Sequence, residues 1–112
     1  METVLGKIVK AEMGFGGYQE SQLGLFVELS FNKCSFVCDF ITGGYKESIQ
    51  ITEFSKWTEE DRSKDRIDFL KKLDNILESA NIQYVSELVN VPVEMTFEGL
   101  LLKNWRVLTE VI

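Results

Sequence analysis

The sequence predicts an α+β fold: a mainly antiparallel sheet of about five strands, in chain order βββαββ, with one long helix packed on one face. Residues 23–31 alternate apolar with other side chains, the period of two that is typical of a half-buried strand. Residues 58–81 instead repeat apolar side chains at three- and four-residue steps, which predicts a helix. Alternation resumes after Pro92 around the turn Glu98-Gly99, which predicts a terminal hairpin.

The first three strands are predicted to form a meander. Residues 4–13 make the first strand and residues 23–31 the second. Asn32 and Lys33 favour a tight reversal, after which residues 34–41 make the third strand. We therefore expect the chain to run up, down and up again before the helix begins.

The helix has a marked beginning and end. Thr58 and Asp61 have the spacing of a capping box, and Asn81 is a suitable stop. The balanced charges of residues 56–74 are interpreted as the solvated face of this helix. The side chains expected to face the core are Ile67, Leu70, Leu73, Ile76, Leu77 and Ala80.

The remaining segments complete a single predicted domain, residues 1–112, since this length is close to the usual domain size. Residues 84–90 are expected to form a turn with a short helical piece, and residues 101–112 the last strand. The sequence shows no linker, low-complexity segment or second domain.

Charge and hydropathy disfavour several classes of partner. The net charge is −6, and outside residues 56–74 six basic residues face twelve acidic ones. Such a balance opposes binding to duplex nucleic acid, because affinity for its backbone comes largely from Lys and Arg. No apolar run reaches the roughly 18 residues of a membrane span, and the N-terminus lacks a signal-peptide pattern. We therefore expect a soluble cytoplasmic protein without a membrane partner.

Cysteine and histidine usage predicts no metal site and no cofactor. The chain has no histidine, and its two cysteines, Cys34 and Cys38, are four residues apart in a predicted strand. A rise of about 3.3 Å per residue separates them by roughly 13 Å, too far for a mutual disulfide. We interpret both thiols as small buried hydrophobic groups.

A repeated glycine–aromatic segment is the main functional signal. GGYQES at residues 16–21 recurs as GGYKES at residues 43–48, with one difference in six positions. In an up–down–up meander the two segments lie at the same end of the sheet, separated by the second strand. Neighbouring strands are about 4.8 Å apart, which puts the segments roughly 10 Å from one another.

That spacing suits a small planar ligand or one inserted side chain, and the residue types suit a nucleotide or a phosphorylated sugar. Glycine amides bind anions, aromatic faces stack on flat rings, and a lone Lys adds positive charge. The alternative is that the two segments are only structural turns that end two strands. The predicted ligand-binding residues are Phe15, Gly16, Gly17, Tyr18, Gln19, Gly43, Gly44, Tyr45, Lys46 and, from the last strand, Arg106.

Trp105 and Arg106 point to opposite faces of the predicted last strand. We expect Trp105 to pack in the core. For Arg106 two interpretations stay open: a salt bridge to Glu94 or Glu98, or contact with a phosphate group.

Catalysis is not expected. GFGG at residues 14–17 resembles part of a dinucleotide-binding loop, but a strand follows it instead of the required helix. No P-loop pattern is present, and without histidine the Ser-His-Asp and Cys-His arrangements lack their base. No pair of carboxylates is marked by its spacing as an acid–base pair.

Two stretches resemble a group of small proteins encoded in phages and prophages. Members of that group carry GFGGY near the start, here residues 14–18, and close with a PVEVTFEG-type hairpin and a K-x-W-R-[IV]-L-T-E-V strand, here residues 92–99 and 103–111. Gly24 also matches. The resemblance covers about a third of the chain and leaves out the helix and the central region.

The resemblance implies a counter-defence role in the host bacterial cytoplasm. The leading hypothesis is a homo-oligomeric sponge that sequesters a nucleotide signal of bacterial immunity. One alternative is an inhibitor that binds a bacterial defence protein through an acidic surface that includes Glu12, Glu20, Glu28, Glu94 and Glu98. Another is a small virion or assembly component that extends its sheet through an exposed edge strand.

Overall fold

The computed structural model describes residues 1–112 and confirms the α+β class, with a five-stranded antiparallel sheet and one long helix. The strands are β1 (Glu2–Gly16), β2 (Gln22–Phe31), β3 (Ser35–Tyr45), β4 (Pro92–Glu98) and β5 (Leu101–Val107). The helix is α1 (Glu59–Ala80), and short 3-10 segments span Tyr18–Glu20, Val85–Leu88 and Thr109–Val111.

The strand order is β3-β2-β1-β4-β5, with β1 at the centre of the sheet. The 15-residue β1 pairs with β4 through its first half and with β2 along most of its length. A bulge between Ile8 and Lys10 shifts the β1–β2 register by one residue. This shift lets Ile8 and Ala11 both face the core although they are three residues apart. The predicted meander of the first three strands is confirmed.

The sheet curls, so that its two edge strands approach one another. The Trp105 indole Nε1 on β5 donates a hydrogen bond to Asp39 Oδ2 on β3 at 2.8 Å, although three strands separate them in the sheet order. Helix α1 packs on β3 and also contacts β5, which places it across the opening between the edges. The concave face is thereby covered, and it encloses the core.

The core is built from the inward-facing residues of β1, β2 and β4. Leu25, Val27 and Leu29 alternate along β2 as predicted and are fully buried. Burial of each such side chain contributes about 1.5–3 kcal/mol. Phe69 and Ala80 from α1 close this core from the helical side.

The predicted ends of α1 are confirmed. Thr58 Oγ1 accepts from the Asp61 amide at 3.1 Å, and Asp61 Oδ2 accepts from the Thr58 amide at 2.9 Å, which completes the capping box. Asn81 ends the helix in the left-handed conformation with φ of 57°.

The predicted apolar face of α1 is partly wrong. Ile67 and Leu70 are 52% and 59% exposed, whereas Arg62 and Phe69 are buried. The first turns of α1 lie beside the end of β3, whose backbone carbonyls accept hydrogen bonds from Arg66. Because these carbonyls accept hydrogen bonds from Arg66, a charged side chain of α1 faces inward at this end.

The prediction that both cysteines are buried is wrong. Cys34 lies in the turn before β3, and Cys38 points outward from β3; both are exposed and free. Val37 and Ile41 face the core instead, because β3 turns its other set of side chains inward.

Three predicted strand ends also differ. β1 continues through Gly16 and β3 through Tyr45, since Gln22 of β2 pairs with both of these residues. The last strand stops at Val107 because β4, its partner, begins at Pro92.

No helix of the structure has the uninterrupted apolar length needed to cross a membrane.

Candidate functional site

The structure places the two GGY segments at the same end of the sheet, as the sequence predicts. Gly16, Gln22 and Tyr45 lie in one row across β1, β2 and β3. Next to this row, Lys46 Nζ lies 5.1 Å from the centre of the Phe15 ring. The structure thus brings parts of the two predicted half-sites together.

Most backbone groups of the second GGY segment are used within the protein. Arg66 donates to the carbonyls of Gly43 at 2.7 Å, Gly44 at 3.2 Å and Tyr45 at 2.9 Å. The Gly44 amide donates to Thr42 Oγ1 at 3.0 Å. These contacts dock α1 onto the end of β3 and occupy the Gly44 amide.

Glycine is required at this docking site. A Cβ on Gly43 would lie 3.0 Å from the Phe69 ring, and Gly44 adopts φ of 94° against the side chain of Asp65. The Tyr45 ring packs edge-on against Trp57, with ring centres 4.6 Å apart. The second segment is therefore a helix-docking element.

Arg62 of α1 binds the chain that follows the second GGY segment. Its side chain is 3% exposed, and its NH1 lies 3.1 Å from Glu47 and 3.3 Å from Glu59. Its NH2 donates to the Ile49 carbonyl, and its guanidinium lies 5.3 Å from the centre of the Trp57 ring. The loop between β3 and α1 is thus held to the helix by a buried cation.

The first GGY segment is more open. Gly17 adopts φ of 72°, Gln19 also has a positive φ, and the Tyr18 side chain is 80% exposed. Phe15, Gly16 and Gly17 border a notch of about 400 Å³ on the outer face of the sheet. Lys10 is the only cation of this notch, and it pairs with Glu12 at 3.6 Å. The notch therefore offers aromatic surface, and the one cation beside it without an ion pair is Lys46, over the Phe15 ring.

Arg106 does not join the glycine segments, because it lies on β5 at the other edge of the sheet. Its Nε donates to Glu94 at 3.2 Å, and its NH1 and NH2 donate to the two Glu110 oxygens at 2.9 and 2.7 Å. Hydrogen bonding to Arg106 lowers the pKa of Glu110 to about 2. The expected salt bridge to Glu94 is present, while Glu98 pairs with Lys103.

A larger cleft, of about 700 Å³, lies between β3, the second half of α1 and β5. Its charged lining consists of four cations, Lys71, Lys72, Lys103 and Arg106, and one carboxylate, Asp39. The net charge of the lining is therefore +3. The rest of the chain holds eight of the twelve Lys and Arg residues and 17 of the 18 Asp and Glu residues, a net charge of −9.

Apolar and neutral polar groups complete the cleft. Trp105, half-buried, packs against the core as expected and also contributes to the lining, with its indole oriented by the hydrogen bond to Asp39. Ile41 and Ile76 add apolar surface. Four side chains supply neutral hydrogen-bonding groups: Asn75, Ser79, Asn104 and Thr109.

The two helical lysines of the cleft are free to bind. Lys71 and Lys72 are exposed and form no ion pair, whereas Lys103 lies 3.4 Å from Glu98 and Arg106 is held by two carboxylates. An incoming anion reaches Lys71 and Lys72 without displacing a partner. Such a site can hold anionic groups by charge-assisted hydrogen bonds.

Sequence reasoning found Arg106 but missed the other cations of the cleft. The sequence predicts a solvated helix face for Lys71 and Lys72, because it does not show which strand lies opposite them. One signal was available: Lys71-Lys72 is the only pair of adjacent basic residues in the chain.

Three of the five carboxylates considered for a protein partner lie in ion pairs, while Glu20 and Glu28 form none. Glu12, Glu94 and Glu98 each lie within ion-pairing distance of a cation, Lys10, Arg106 and Lys103 respectively. No group of three or more His, Cys, Asp or Glu side chains is arranged to hold a metal ion.

Comparisons with protein-family models, curated proteins and solved structures find no match for the chain.

Proposed function

We propose that the protein is a non-catalytic binding module that holds a small anionic ligand, such as a nucleotide, in the cleft between β3, α1 and β5. The observation that carries this proposal is the pair of lysines without an ion pair, Lys71 and Lys72, in a cleft whose one lining carboxylate, Asp39, is bound to Trp105. A concave surface lined by one sign of charge raises the local concentration of the opposite ion. The location differs from the glycine segments because the second one serves to dock α1, with its carbonyls bound to Arg66 and the Gly44 amide bound to Thr42.

The composition of the cleft supports binding over catalysis. Its lining contains no His, Cys or Glu, and its one carboxylate, Asp39, accepts a hydrogen bond from Trp105. General acid–base catalysis uses a titratable group free to exchange a proton with the substrate. Trp105 and the two isoleucines instead supply apolar surface for an organic ligand.

In a cell, such a module would sequester its ligand. The resemblance to small phage proteins supports a counter-defence role, in which the protein removes a nucleotide signal of bacterial immunity from the host cytoplasm. Sequestration needs only affinity and abundance, so the absence of a recognisable catalytic arrangement in the cleft is compatible with this role.

Trp105 provides the test of ligand binding. Its indole lines the cleft, and Trp57→Phe leaves it as the only tryptophan, because the chain contains two. The fluorescence of this variant is titrated with inorganic phosphate, AMP, GMP and ATP. Saturable quenching that weakens at high salt is expected, since screening reduces attraction between exposed charges.

A matched pair of variants locates the ligand. Lys71→Gln with Lys72→Gln is expected to weaken binding about tenfold to hundredfold, because hydrogen bonds to charged groups contribute about 1.5–3 kcal/mol. Lys33→Gln with Lys56→Gln changes net charge equally at exposed lysines outside the cleft and should leave affinity nearly unchanged.

Two outcomes would contradict the proposal. Equal losses in both double variants would mean that only overall charge matters. A loss in Tyr18→Ala, with none in the Lys71 and Lys72 variant, would place the ligand at the first GGY segment instead of in the cleft.

A further inference from the structure

We infer that two copies of the protein associate through the second half of β1, which pairs antiparallel with the same segment of the other copy about Met13. The contact joins the two sheets into one. No residue from Ala11 to Phe15 lines the cleft, so this interface does not rest on the proposed function.

The second half of β1 is paired on one side only. β4 pairs with residues 2–7 of β1, and the chain just before β4 bonds to Ile8. From Lys10 to Gly16, β1 pairs with β2 alone. An unpaired strand edge of this kind is a template for a further strand.

The unpaired backbone groups of this edge belong to Ala11, Met13 and Phe15. Ile8 bonds with both its amide and its carbonyl to the chain before β4, so its pair with Leu29 of β2 exchanges no hydrogen bonds. The register places Ala11, Met13 and Phe15 opposite residues two, four and six positions before Leu29. Bonded and non-bonded pairs alternate along an antiparallel ladder, so these three residues also direct their amides and carbonyls away from β2.

Alignment about Met13 satisfies all of these groups at once. It places Met13 opposite Met13 of the second copy and Ala11 opposite Phe15, and each such pair exchanges two hydrogen bonds. Alignment about Ala11 would instead put Phe15 opposite Lys7, where β4 already lies. Alignment about Glu12 would put two carboxylates directly opposite one another, which is destabilising.

The apolar side chains of this edge are exposed in the single copy. Met13 and Phe15 are 46% and 60% exposed, while Ala11 packs against the core. Pairing about Met13 brings the two Met13 side chains together and sets each Phe15 ring beside the small Ala11 side chain. Apolar surface of both copies is thereby removed from water, which favours association.

The outer face of the same edge is open and carries no net charge. A Cβ on Gly14 would meet no heavy atom within 4 Å, and pairing about Met13 directs Glu12 of the second copy toward this space. The charged residues of the segment 10–16 are Lys10 and Glu12, which pair at 3.6 Å. The edge is therefore neutral although the whole chain has a net charge of −6, and a neutral edge limits the repulsion between two copies.

The contact is smaller than that of a permanent dimer. Stable interfaces of standard size contain roughly 20–30 residues a side, whereas this strand pairing uses residues 10–16 of each copy. We therefore expect a reversible dimer whose population depends on protein concentration.

Analytical ultracentrifugation from about 10 μM to 1 mM measures the association. The wild-type protein should change from monomer to dimer without larger species, because a two-fold contact uses the same surface of both copies. Met13→Lys should weaken dimerisation tenfold or more, because two cations then face one another on the two-fold axis. This change adds one positive charge to a chain of net charge −6, so greater overall repulsion would not account for the loss.

Two further variants control the test. Leu101→Lys makes the same change of charge at an exposed apolar residue of the edge strand β5, and it should dimerise as the wild type does. Met13→Glu should dimerise as poorly as Met13→Lys. An equal mixture of the two Met13 variants should form a mixed dimer, because opposite charges then face one another across the axis. Circular dichroism of each variant reports its folding.

Three outcomes would overturn the inference. A wild-type protein that stays monomeric at the highest concentration would leave this edge unpaired or available to a different protein. Undiminished dimerisation of Met13→Lys, or its loss in Leu101→Lys, would place the contact elsewhere. Folded Met13 variants that do not associate when mixed would exclude alignment about Met13. None of these results bears on the binding of nucleotides in the cleft, which the fluorescence of Trp105 reports.

Discussion

Gly14 and Gly24 form a cross-strand pair between β1 and β2, and replacing each by Ala should have opposite effects on stability. A Cβ on Gly14 would have no heavy atom within 4 Å. A Cβ on Gly24 would lie 2.3 Å from the Ile41 carbonyl oxygen and 2.8 Å from the Phe40 ring. Neither glycine has a positive φ, so only the available space distinguishes the two substitutions.

The magnitudes follow from these contacts. Both substitutions gain about 0.5–1 kcal/mol because Ala loses less conformational freedom than Gly on folding. At Gly24 the new methyl group also forces β2 and β3 apart, and overpacking of this kind costs about 1–3 kcal/mol. The free energy of unfolding of Gly14→Ala should therefore exceed that of Gly24→Ala by about 1–3 kcal/mol.

Urea unfolding followed by circular dichroism measures this difference directly, since the gain in chain entropy is common to both variants and cancels. At about 4 °C per kcal/mol for a domain of this size, the two Tm values should differ by about 4–12 °C. Equal stability of the two variants, or a less stable Gly14→Ala, would refute the argument that close approach of β3 requires glycine at position 24.

Two further predictions concern ionic contacts. Arg66→Gln should lower the free energy of unfolding by about 1.5–3 kcal/mol, because charged hydrogen bonds to the β3 carbonyls are lost. Arg66→Lys should recover little of this stability, since one ammonium group cannot span three carbonyls. Full recovery of stability in Arg66→Lys would contradict the prediction. Glu110 has a folded pKa lowered from 4.5 to about 2, so its bond to Arg106 stabilises the fold above pH 4.5, and this stability is lost as pH falls toward 2. Glu110→Gln should remove that part of the pH dependence in urea titrations between pH 6 and 2, and an unchanged slope would count against the ion pair.

Local chemistry made much of the fold predictable from the sequence. The capping box of Thr58 and Asp61 and the stop at Asn81 depend on neighbours three residues away or fewer, so the bounds of α1 followed directly. The alternation of β2 identified its buried residues because only one of its faces is apolar throughout. The shared end of the two GGY segments followed from antiparallel connectivity alone.

The buried face of strand β3 could not be predicted from the sequence. Period two groups Phe36, Cys38 and Phe40 on one face and Val37 and Ile41 on the other, but both faces contain apolar residues. Only packing against α1 decides that the second group is buried. The same holds for α1, where Arg66 and the β3 carbonyls direct a charged face inward at one end.

Composition and short-range sequence patterns are enough to predict the class of fold, the ends of α1, the meander and the acidic balance of the chain. The cleft was decided by tertiary structure alone. Lys71 and Arg106 are 35 positions apart, and they line one surface because the curled sheet brings β5 toward β3 under the helix. Long-range packing of this kind leaves no local pattern, so the concentration of positive charge became apparent only in the folded chain.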